Sequence, residues 1–228
     1  VILPFEKDFY KKHQVNAHFV GHPLLDAISD LAPIDAENFK KEYGLNDKEI
    51  IAPLPGSREQ EVEKMLSLML SVRDYFKNYQ FVIAGAPSLP KEFYQTFVDD
   101  DVHFVSNKTY DLLRCSKAAL VTSGTATLET ALLNIPEIVC YRTSTISYEI
   151  GKRVVKNIKF ISLVNLIMDR EIVKELIQKE LNTENLVNEL QKILEGQKRD
   201  KMLKNYELLR EKLGGKGASE HAAEIIVN

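Results

Sequence analysis

The residues best suited to chemistry lie in two short turns, each between an apolar, strand-like segment and a helical pattern. The first turn contains Gly56, Ser57 and Arg58, and a long amphipathic pattern follows it. Backbone N–H groups at a helix N-terminus have no partner within the helix, and the helix dipole makes the potential there positive. Anions bind at such termini, and the Arg58 guanidinium is a donor fork suited to phosphate oxygens. The first turn therefore predicts a phosphate site, with a plain surface arginine as the alternative.

The second turn contains Ser123, Gly124 and Thr125, and it follows the apolar residues 118–121. Its residues suit a phosphate, but they also suit an ordinary helix start, where Gly124 supplies backbone freedom and the hydroxyls cap the helix. Glu129 lies one helical turn beyond Thr125 on the same face. A carboxylate there can accept hydrogen bonds from a ribose diol, and the alternative is a solvated helix charge. Because open α/β sheets bind ligands at the carboxyl ends of their strands, the two turns predict one crevice.

The elements that position these turns alternate between strand-like segments and helical patterns. The strand-like segments lie near residues 49–53, 80–84, 102–105, 118–121 and 137–140. This alternation predicts parallel βαβ units. We expect a capping box of Ser57 and Gln60 at the start of the first long helix. We also expect a shorter helix that begins at Asp35 and ends at Gly44.

The two ends of the chain have different patterns. We expect short strands at residues 1–3 and 17–20 with a helix over residues 5–13 between them, and no strand after residue 160. Apolar residues at helical spacing predict the remaining helices, over residues 172–179, 185–194, 200–213 and 218–227. The predicted fold class is α/β, with a Rossmann-like parallel sheet, flanking helices and a helical carboxy-terminal tail.

The composition argues against several classes of protein. The 30 basic and 33 acidic residues leave a net charge of −3, whereas domains that bind nucleic acids through overall charge are usually basic. Cys115 and Cys140 lie in apolar or helical contexts, which indicates buried thiols in a reducing compartment. No apolar run reaches the roughly 18 residues of a membrane span, and no signal peptide is visible. The histidines and cysteines lack metal-ligand spacing, so we expect no metal. We also expect no cofactor, and the charge balance predicts no nucleic-acid partner.

Seven motifs, in order along nearly the whole chain, resemble the lipid-A-disaccharide synthase family, which comprises the GT-B glycosyltransferases of family 19. The motifs are residues 3–6, 19–23, 54–58, 123–129, 141–142, 162–166 and 173–178. Related nucleotide-sugar transferases share the second turn but not the others, so the motifs are specific as a set. Val164 departs from the family, which usually has proline before the asparagine.

The resemblance implies that this chain is the carboxy-terminal, nucleotide-sugar-binding half of a GT-B enzyme. Residues 1–23 would then be the terminal strand and hinge of a missing amino-terminal domain, residues 24–196 the UDP-sugar-binding domain, and residues 197–228 a helical tail. The implied reaction transfers a 2,3-diacylglucosamine unit from UDP to the 6-hydroxyl of 2,3-diacylglucosamine 1-phosphate, with inversion and without a metal. The family's general base comes from the amino-terminal domain, so we expect this chain alone to be inactive.

The resemblance also implies the site residues. Those that bind the donor would be Gly56, Ser57, Arg58, Ser123, Gly124, Thr125, Glu129 and Asn165. Arg58 and Asn165 would also act in catalysis, by stabilising charge on the departing diphosphate. Asn165 interrupts an apolar run, so the alternative is that its amide ties down a loop. Gln178 has a similar but weaker case, and His22 is interpreted as part of an interdomain hinge rather than as a catalytic group.

The resemblance further suggests where the protein works and with which partners. It implies a cytoplasmic enzyme, peripheral on the inner face of the bacterial inner membrane. A basic stripe at Lys152, Arg153, Lys156 and Lys159 is either a solvated helix face or a contact with anionic lipid. Apolar residues of the tail could contact a second copy of the chain. Two rival functions stay open: another GT-B enzyme that uses UDP-N-acetylglucosamine, and a non-catalytic UDP-binding or scaffold module.

Overall fold

A computed structural model describes residues 1–99, 102–143 and 159–227 of the chain. Six strands are described: β1 (Glu49–Leu54), β2 (Tyr79–Gly85), β3 (Val102–Ser106), β4 (Ser116–Thr122), β5 (Glu137–Tyr141) and β6 (Lys174–Ile177). They form one sheet with the order β3-β2-β1-β4-β5-β6, and every pairing is parallel. The predicted α/β fold is thus confirmed, and the strand order reverses between β1 and β4.

Helices cover both faces of the sheet. The first six are α1 (Glu6–Lys12), α2 (Pro23–Ser29), α3 (Ala36–Glu42), α4 (Glu59–Leu70), α5 (Lys91–Gln95) and α6 (Thr109–Arg114). The next five are α7 (Thr125–Leu132), α8 (Leu163–Met168), α9 (Thr183–Leu194), α10 (Gln197–Lys212) and α11 (Ala218–Val227). Short 3₁₀ turns occupy Arg73–Tyr75 and Gln178–Glu180. Within the described ranges, every helix is too short or too polar to cross a membrane.

The core lies in two layers because alternate strand residues face opposite sides of the sheet. In β1, Ile51 packs with the cluster that contains Val62 of α4, whereas Ile50 packs with the cluster that contains Phe39 of α3. The first cluster also takes in Tyr206 of α10. The first part of the predicted helical tail therefore packs in the same core as the sheet.

Several local predictions are wrong, among them the expectation of no strand after residue 160. Residues 1–3 and 17–20 form no strand, although the Val20 N–H donates to the Val1 carbonyl at 3.2 Å. The helix expected over residues 172–179 is instead β6, because parallel pairing with β5 supplies long-range hydrogen bonds that outweigh local helical spacing. The expected capping box is absent, since Arg58 is the N-cap of α4 and no side-chain cap bond forms there. The Asp35 cap of α3 is confirmed by its bond from the Asn38 N–H at 3.0 Å.

The two ends of the chain contact each other. The His22 N–H donates to the Leu213 carbonyl at 3.2 Å, and Asp26 Oδ1 accepts from the Gly217 N–H at 2.6 Å. Lys216 Nζ also lies 2.7 Å from Asp30 Oδ1. These contacts attach the start of α11 to α2, on the amino-terminal segment.

Candidate functional site

A cleft of about 420 Å³ opens where the carboxyl ends of β1 and β4 meet. This is the point at which the strand order reverses, where open α/β sheets generally bind ligands. The cleft is of the size of small-molecule sites in proteins. Its lining consists of Leu54, Gly56, Ser57, Glu61, Ala84, Gly85, Ala86, Pro87, Thr109, Thr122, Ser123, Gly124, Thr125, Ala126 and Glu129. Six of the eight site residues expected from the sequence are therefore in one place.

The first turn requires its glycine. Gly56 has a φ of 108°, in the left-handed region that side chains rarely adopt. A Cβ at this position would lie 2.6 Å from Oε2 of Glu61, which folds back over the turn from the start of α4. Ser57 is held by its carbonyl, which accepts a hydrogen bond from Ser88 Oγ at 2.9 Å. The left-handed backbone at Gly56 and the hydrogen bond from Ser88 thus define the shape of this turn.

Arg58 is exposed and lies beside this cleft rather than in its lining. Its carbonyl accepts the N–H groups of Glu61 and Val62, each at 2.9 Å, which opens helix α4. As the N-cap residue, Arg58 stands just before the helix rather than in its first turn. The structure therefore places the backbone of Arg58 at the N-terminus of α4.

The second turn does not require its glycine. Gly124 has an extended backbone, and a Cβ built there would meet no atom within 4 Å. The expectation that Gly124 supplies backbone freedom is thus wrong, since any residue could adopt this conformation. No side-chain cap bond forms at the start of α7 either. Ser123 Oγ instead donates to the Ile161 carbonyl at 3.1 Å. The space over Gly124 is open towards the cleft.

Thr122 also lines the cleft, although no local pattern in the sequence singles it out. The residue ends β4 and is 6% exposed, and its Oγ1 has no hydrogen-bond partner among the described residues. Two nearby threonines of α7 differ, since Thr127 Oγ1 donates to the Gly124 carbonyl at 2.9 Å and Thr130 Oγ1 to the Ala126 carbonyl at 2.7 Å. A buried hydroxyl without a partner costs free energy. Thr122 therefore has hydrogen-bonding capacity that a ligand could use.

Glu129 lines the cleft from the far end of the second turn. Its Oε1 accepts a hydrogen bond of 2.9 Å from the Tyr110 hydroxyl of α6. Burial, together with the nearby Glu129 charge, raises the pKa of Tyr110 well above its usual value, so the phenol stays protonated at neutral pH. Glu129 is half-buried and bonded. These contacts do not fit the alternative of a fully solvated helix charge.

The charged side chains in the cleft lining are acidic, so attraction for an anion must come from backbone groups and from residues beside the lining. Its charged lining residues are Glu61 and Glu129, and neither lysine nor arginine is among the described residues that line it. The N-termini of α4 and α7 both open beside it. An anion in this cleft would therefore be held by backbone N–H groups and by Arg58 at its side.

Asn165 does not line the cleft and lies in a fully buried network. Its Nδ2 donates to the Val173 carbonyl and to Glu175 Oε1, both at 2.9 Å, and its Oδ1 accepts from the N–H groups of Ile172 and Val173 at 2.7 and 3.1 Å. Glu175 also accepts from Ser162 Oγ at 2.7 Å. The amide of Asn165 has no capacity left for a ligand. These contacts support the alternative that Asn165 ties down a loop.

The remaining candidates have structural surroundings or lie outside the described residues. His22 caps α2 by accepting the Leu24 N–H on Nδ1 at 3.2 Å, and burial lowers its pKa. Gln178 follows β6, half-buried, and its Nε2 has no partner in the described part of the chain. Lys159 lies 3.7 Å from Asp169 in an exposed ion pair. The other three members of the basic stripe fall outside the described residues.

The described part of the chain contains two cysteine thiols and side chains of the other types that commonly ligate metals. In the ranges that the structure describes, no group of three or more histidine, cysteine or acidic side chains is placed to hold a metal ion. Cys115 and Cys140 are free thiols, and burial raises the pKa of each. Both are therefore protonated at neutral pH, and neither lines the cleft.

Comparison with known sequences gives a consistent result. The family described as Lipid-A-disaccharide synthetase matches residues 1–227. The lipid-A-disaccharide synthase of Syntrophus aciditrophicus is 38% identical over 237 residues, which include 98% of this chain and 60% of that protein. The enzyme of Myxococcus xanthus is 34% identical over 235 residues, with 99% of this chain and 61% of that protein. The chain therefore spans about 60% of the length of the curated relatives it matches.

Comparison with solved structures shows the fold. UDP-GlcNAc 2-epimerase from Neisseria meningitidis, bound to UDP-GlcNAc, has a TM-score of 0.69 at 14% identity, over 100% of this chain and 60% of that chain. Spinosyn rhamnosyltransferase complexed with thymidine diphosphate has a TM-score of 0.55 at 12% identity, over 80% of this chain and 46% of that chain. The six-stranded unit thus matches halves of enzymes with the GT-B fold.

Proposed function

The chain belongs to the lipid-A-disaccharide synthase family of glycosyltransferases, and we propose that its cleft binds the UDP portion of a UDP-2,3-diacylglucosamine donor. The complete polypeptide would transfer the diacylglucosamine unit to the 6-hydroxyl of 2,3-diacylglucosamine 1-phosphate, with inversion, and would release UDP. The observation that carries this proposal is the meeting of two strand–turn–helix units at one cleft of about 420 Å³.

The diphosphate is proposed to lie against the N-termini of α4 and α7. The open space over Gly124 would let phosphate oxygens approach the backbone closely. Arg58, beside the first turn, would contribute the positive charge that the lining itself lacks. As the bond to the sugar breaks, negative charge grows on UDP, and these fixed donors would stabilise it. The catalytic role is therefore assigned to Arg58 and the two helix N-termini, and Asn165 is left out.

Glu129 is proposed to bind the ribose. A carboxylate accepts hydrogen bonds and donates none when ionised, which suits the two hydroxyls of a ribose diol. Glu129 lies on α7 within the cleft lining, one helical turn beyond the proposed phosphate contacts. The nucleotide would then run along α7 from the diphosphate to the ribose.

The acceptor, the general base and the further partners are also proposals. In the family that this chain belongs to, the base comes from the amino-terminal domain, so we propose that it is supplied from outside residues 1–228 here as well. The chain alone would then bind UDP without making the disaccharide. Contact with an anionic membrane, from the cytoplasmic side, and pairing of two copies through the exposed Ile225 and Ile226 stay predictions.

The central test is a calorimetric titration of the chain with UDP and with UMP. UDP is expected to bind more tightly, because its second phosphate reaches both helix N-termini. Arg58→Ala is expected to weaken UDP binding by about 1.5–3 kcal/mol, the usual effect of losing a hydrogen bond to a charged group. Arg58→Lys should restore only part of this, since the planar fork is lost.

The matched control for Arg58 is Lys64→Ala, which removes a positive charge from the exposed side of the same helix. This variant should bind UDP as the parent chain does. Equal affinity of the parent for UDP and UMP would contradict the diphosphate site. Equal losses in the Arg58 and Lys64 variants would show that only overall charge matters.

A further inference from the structure

The Tyr110–Glu129 pair joins two helices that follow different strands. Tyr110 belongs to α6, which follows β3, and Glu129 belongs to α7, which follows β4. Their side chains meet at 2.9 Å, between Tyr110 Oη and Glu129 Oε1. Thr109, the neighbour of Tyr110, lines the cleft together with Glu129. The phenol is therefore next to the cleft and is bonded to the carboxylate proposed to receive the ribose.

The direction of this hydrogen bond is fixed by chemistry. An ionised carboxylate only accepts, so the Tyr110 hydroxyl must be the donor. Burial and the Glu129 charge both oppose loss of the phenol proton, which raises the pKa of Tyr110. The contact therefore persists across the neutral pH range as a donation from Tyr110 to Oε1.

One consequence concerns the freedom of Glu129. A glutamate side chain on a helix surface has several rotatable bonds, and its carboxylate samples many positions. The bond from Tyr110 holds Oε1, and the structure assigns no other hydrogen bond to the Glu129 carboxylate among the described residues. Oε2 and the second lone pair of Oε1 are thus left in a defined position for a ligand.

We propose that Tyr110 is a positioning residue that fixes the Glu129 carboxylate for a vicinal diol, so that the cleft selects ribonucleoside diphosphates over analogues without the two ribose hydroxyls. This inference rests on the proposed UDP site and adds a determinant of its specificity. Selectivity of this kind is strong when a site is built to bond a hydroxyl, because the analogue leaves a polar group unpaired. Because Tyr110 already holds the carboxylate, the Glu129 side chain loses less conformational entropy when the diol binds.

The test compares UDP with 2′,3′-dideoxy-UDP in the parent chain, in Tyr110→Phe and in Glu129→Gln. The parent should prefer UDP by about tenfold or more, the range for a hydrogen bond to a charged group. Tyr110→Phe should reduce this preference severalfold by weakening UDP binding, while binding of the dideoxy analogue stays unchanged. Glu129→Gln should remove most of the preference. A double variant should lose no more than Glu129→Gln alone, because Tyr110 acts through Glu129.

The matched control is Tyr79→Phe, which removes a phenol at the start of β2, at the other end of the strand from Gly85 of the cleft. It should leave both affinities unchanged. Thermal melting shows whether each variant is folded. If Tyr110→Phe does not fold, Tyr110→Met tests the same contact, since it also removes the hydroxyl and leaves the Glu129 side chain unchanged. Loss of preference in that variant supports the proposal.

The failures of the two proposals are distinguishable. If the parent chain does not bind UDP, the proposed function is overturned and this inference with it. If the parent binds UDP but Tyr110→Phe weakens both nucleotides equally, Tyr110 only supports the fold, and the positioning role is overturned while the UDP site stands. An unchanged preference in Tyr110→Phe overturns the positioning role as well.

Discussion

Polar residues cluster in two parts of this molecule, and the two clusters differ in whether their hydrogen bonds are satisfied. In the cleft, the Thr122 hydroxyl has no partner among the described residues and the space over Gly124 is open. In the buried network, Asn165 makes four hydrogen bonds and Glu175 accepts from Ser162 and Asn165. A buried polar group is either satisfied by the protein or costs free energy until something else satisfies it. The first arrangement is suited to a ligand, and the second to holding a loop.

The difference also lies in chain distance. The network partners of Asn165 all lie within 10 positions of it, so a short segment folds back on itself. The cleft combines Gly56 and Glu129, which come from separate strand–turn–helix units. Polar residues that a local loop brings together can satisfy one another. Those that the sheet brings together from afar can remain available.

The largest effect is expected from breaking the network with Asn165→Ala. The change leaves the Ile172 and Val173 N–H groups and the Glu175 carboxylate without their partner in a fully buried place. We expect a loss of about 3–4 kcal/mol in the free energy of unfolding, measured in urea. UDP affinity of the remaining folded protein should be unchanged.

The control for this variant is Asn188→Ala, on the exposed side of α9. It should change stability by no more than about 0.5 kcal/mol. A stable Asn165→Ala protein with weakened UDP binding would show that Asn165 contacts the ligand. The contrast between the cleft and the buried network would then be wrong.

The sequence predicts most strands of the sheet, but only some of the residues that line the cleft. Strands β1 to β5 are confirmed within two residues at each end, since strands buried on both faces leave nearly continuous apolar runs in the sequence. β6 is missed because Val173, Leu176 and Ile177 fit the spacing of a helix as well as that of a strand. Only the parallel pairing with β5 makes this segment a strand. No local pattern distinguishes Glu61 or Tyr110 from solvated helix residues. Likewise, nothing local shows that Ile172, Val173 and Glu175 return to Asn165.

A second prediction concerns Glu137, a buried carboxyl that belongs neither to the Asn165 network nor to the cleft lining. Glu137 begins β5, at the end of the sheet away from the cleft, and both its oxygens lack partners among the described residues. Burial raises its pKa well above the usual 4.5. Above pH 4.5 the folded protein thus holds a proton that the unfolded chain has released, so the contribution of Glu137 to the free energy of unfolding falls as pH rises.

This fall should approach about 1.4 kcal/mol for each pH unit while Glu137 stays protonated. Unfolding by urea at pH 5, 6, 7 and 8 measures the slope. Glu137→Gln should flatten it, because no proton is then exchanged at this position. Glu171→Gln, at an exposed glutamate, should retain the slope of the parent. An equally steep slope in Glu137→Gln would assign the pH dependence to another group.

The third prediction contrasts the two glycines of the cleft. Gly56→Ala should lower stability by about 1–3 kcal/mol, since an alanine at a φ of 108° is strained and its Cβ meets Glu61. Gly124→Ala should leave thermal stability almost unchanged, because its backbone is extended and its surroundings are open. It should nonetheless weaken UDP binding, which calorimetry would measure. A Gly124→Ala protein that binds UDP like the parent would show that the open space is not used by the nucleotide.

The smallest effect is expected from Thr122→Val. The sign of its change in the free energy of unfolding shows whether the hydroxyl already has a hydrogen-bond partner. Replacing an unpartnered buried hydroxyl by a methyl should keep or raise stability, whereas Thr130→Val should cost about 1 kcal/mol because its hydroxyl bonds to the Ala126 carbonyl. If the ligand uses Thr122, its valine variant should also bind UDP more weakly. Stability and affinity would then move in opposite directions. A loss of stability in Thr122→Val would show that the hydroxyl already has a partner.

The contact between the two chain ends has a consequence for the order of folding events. The bond from Gly217 to Asp26 closes a loop of 191 positions, and closing so long a loop in an unfolded chain costs entropy before other contacts compensate. The assembled sheet brings these ends together beforehand, so this bond should form after the sheet and open before it. Helix α11 buries only Ala218, so little else holds it. In hydrogen exchange, the Gly217 amide should therefore exchange through local opening, well before the amides of β1 and β4.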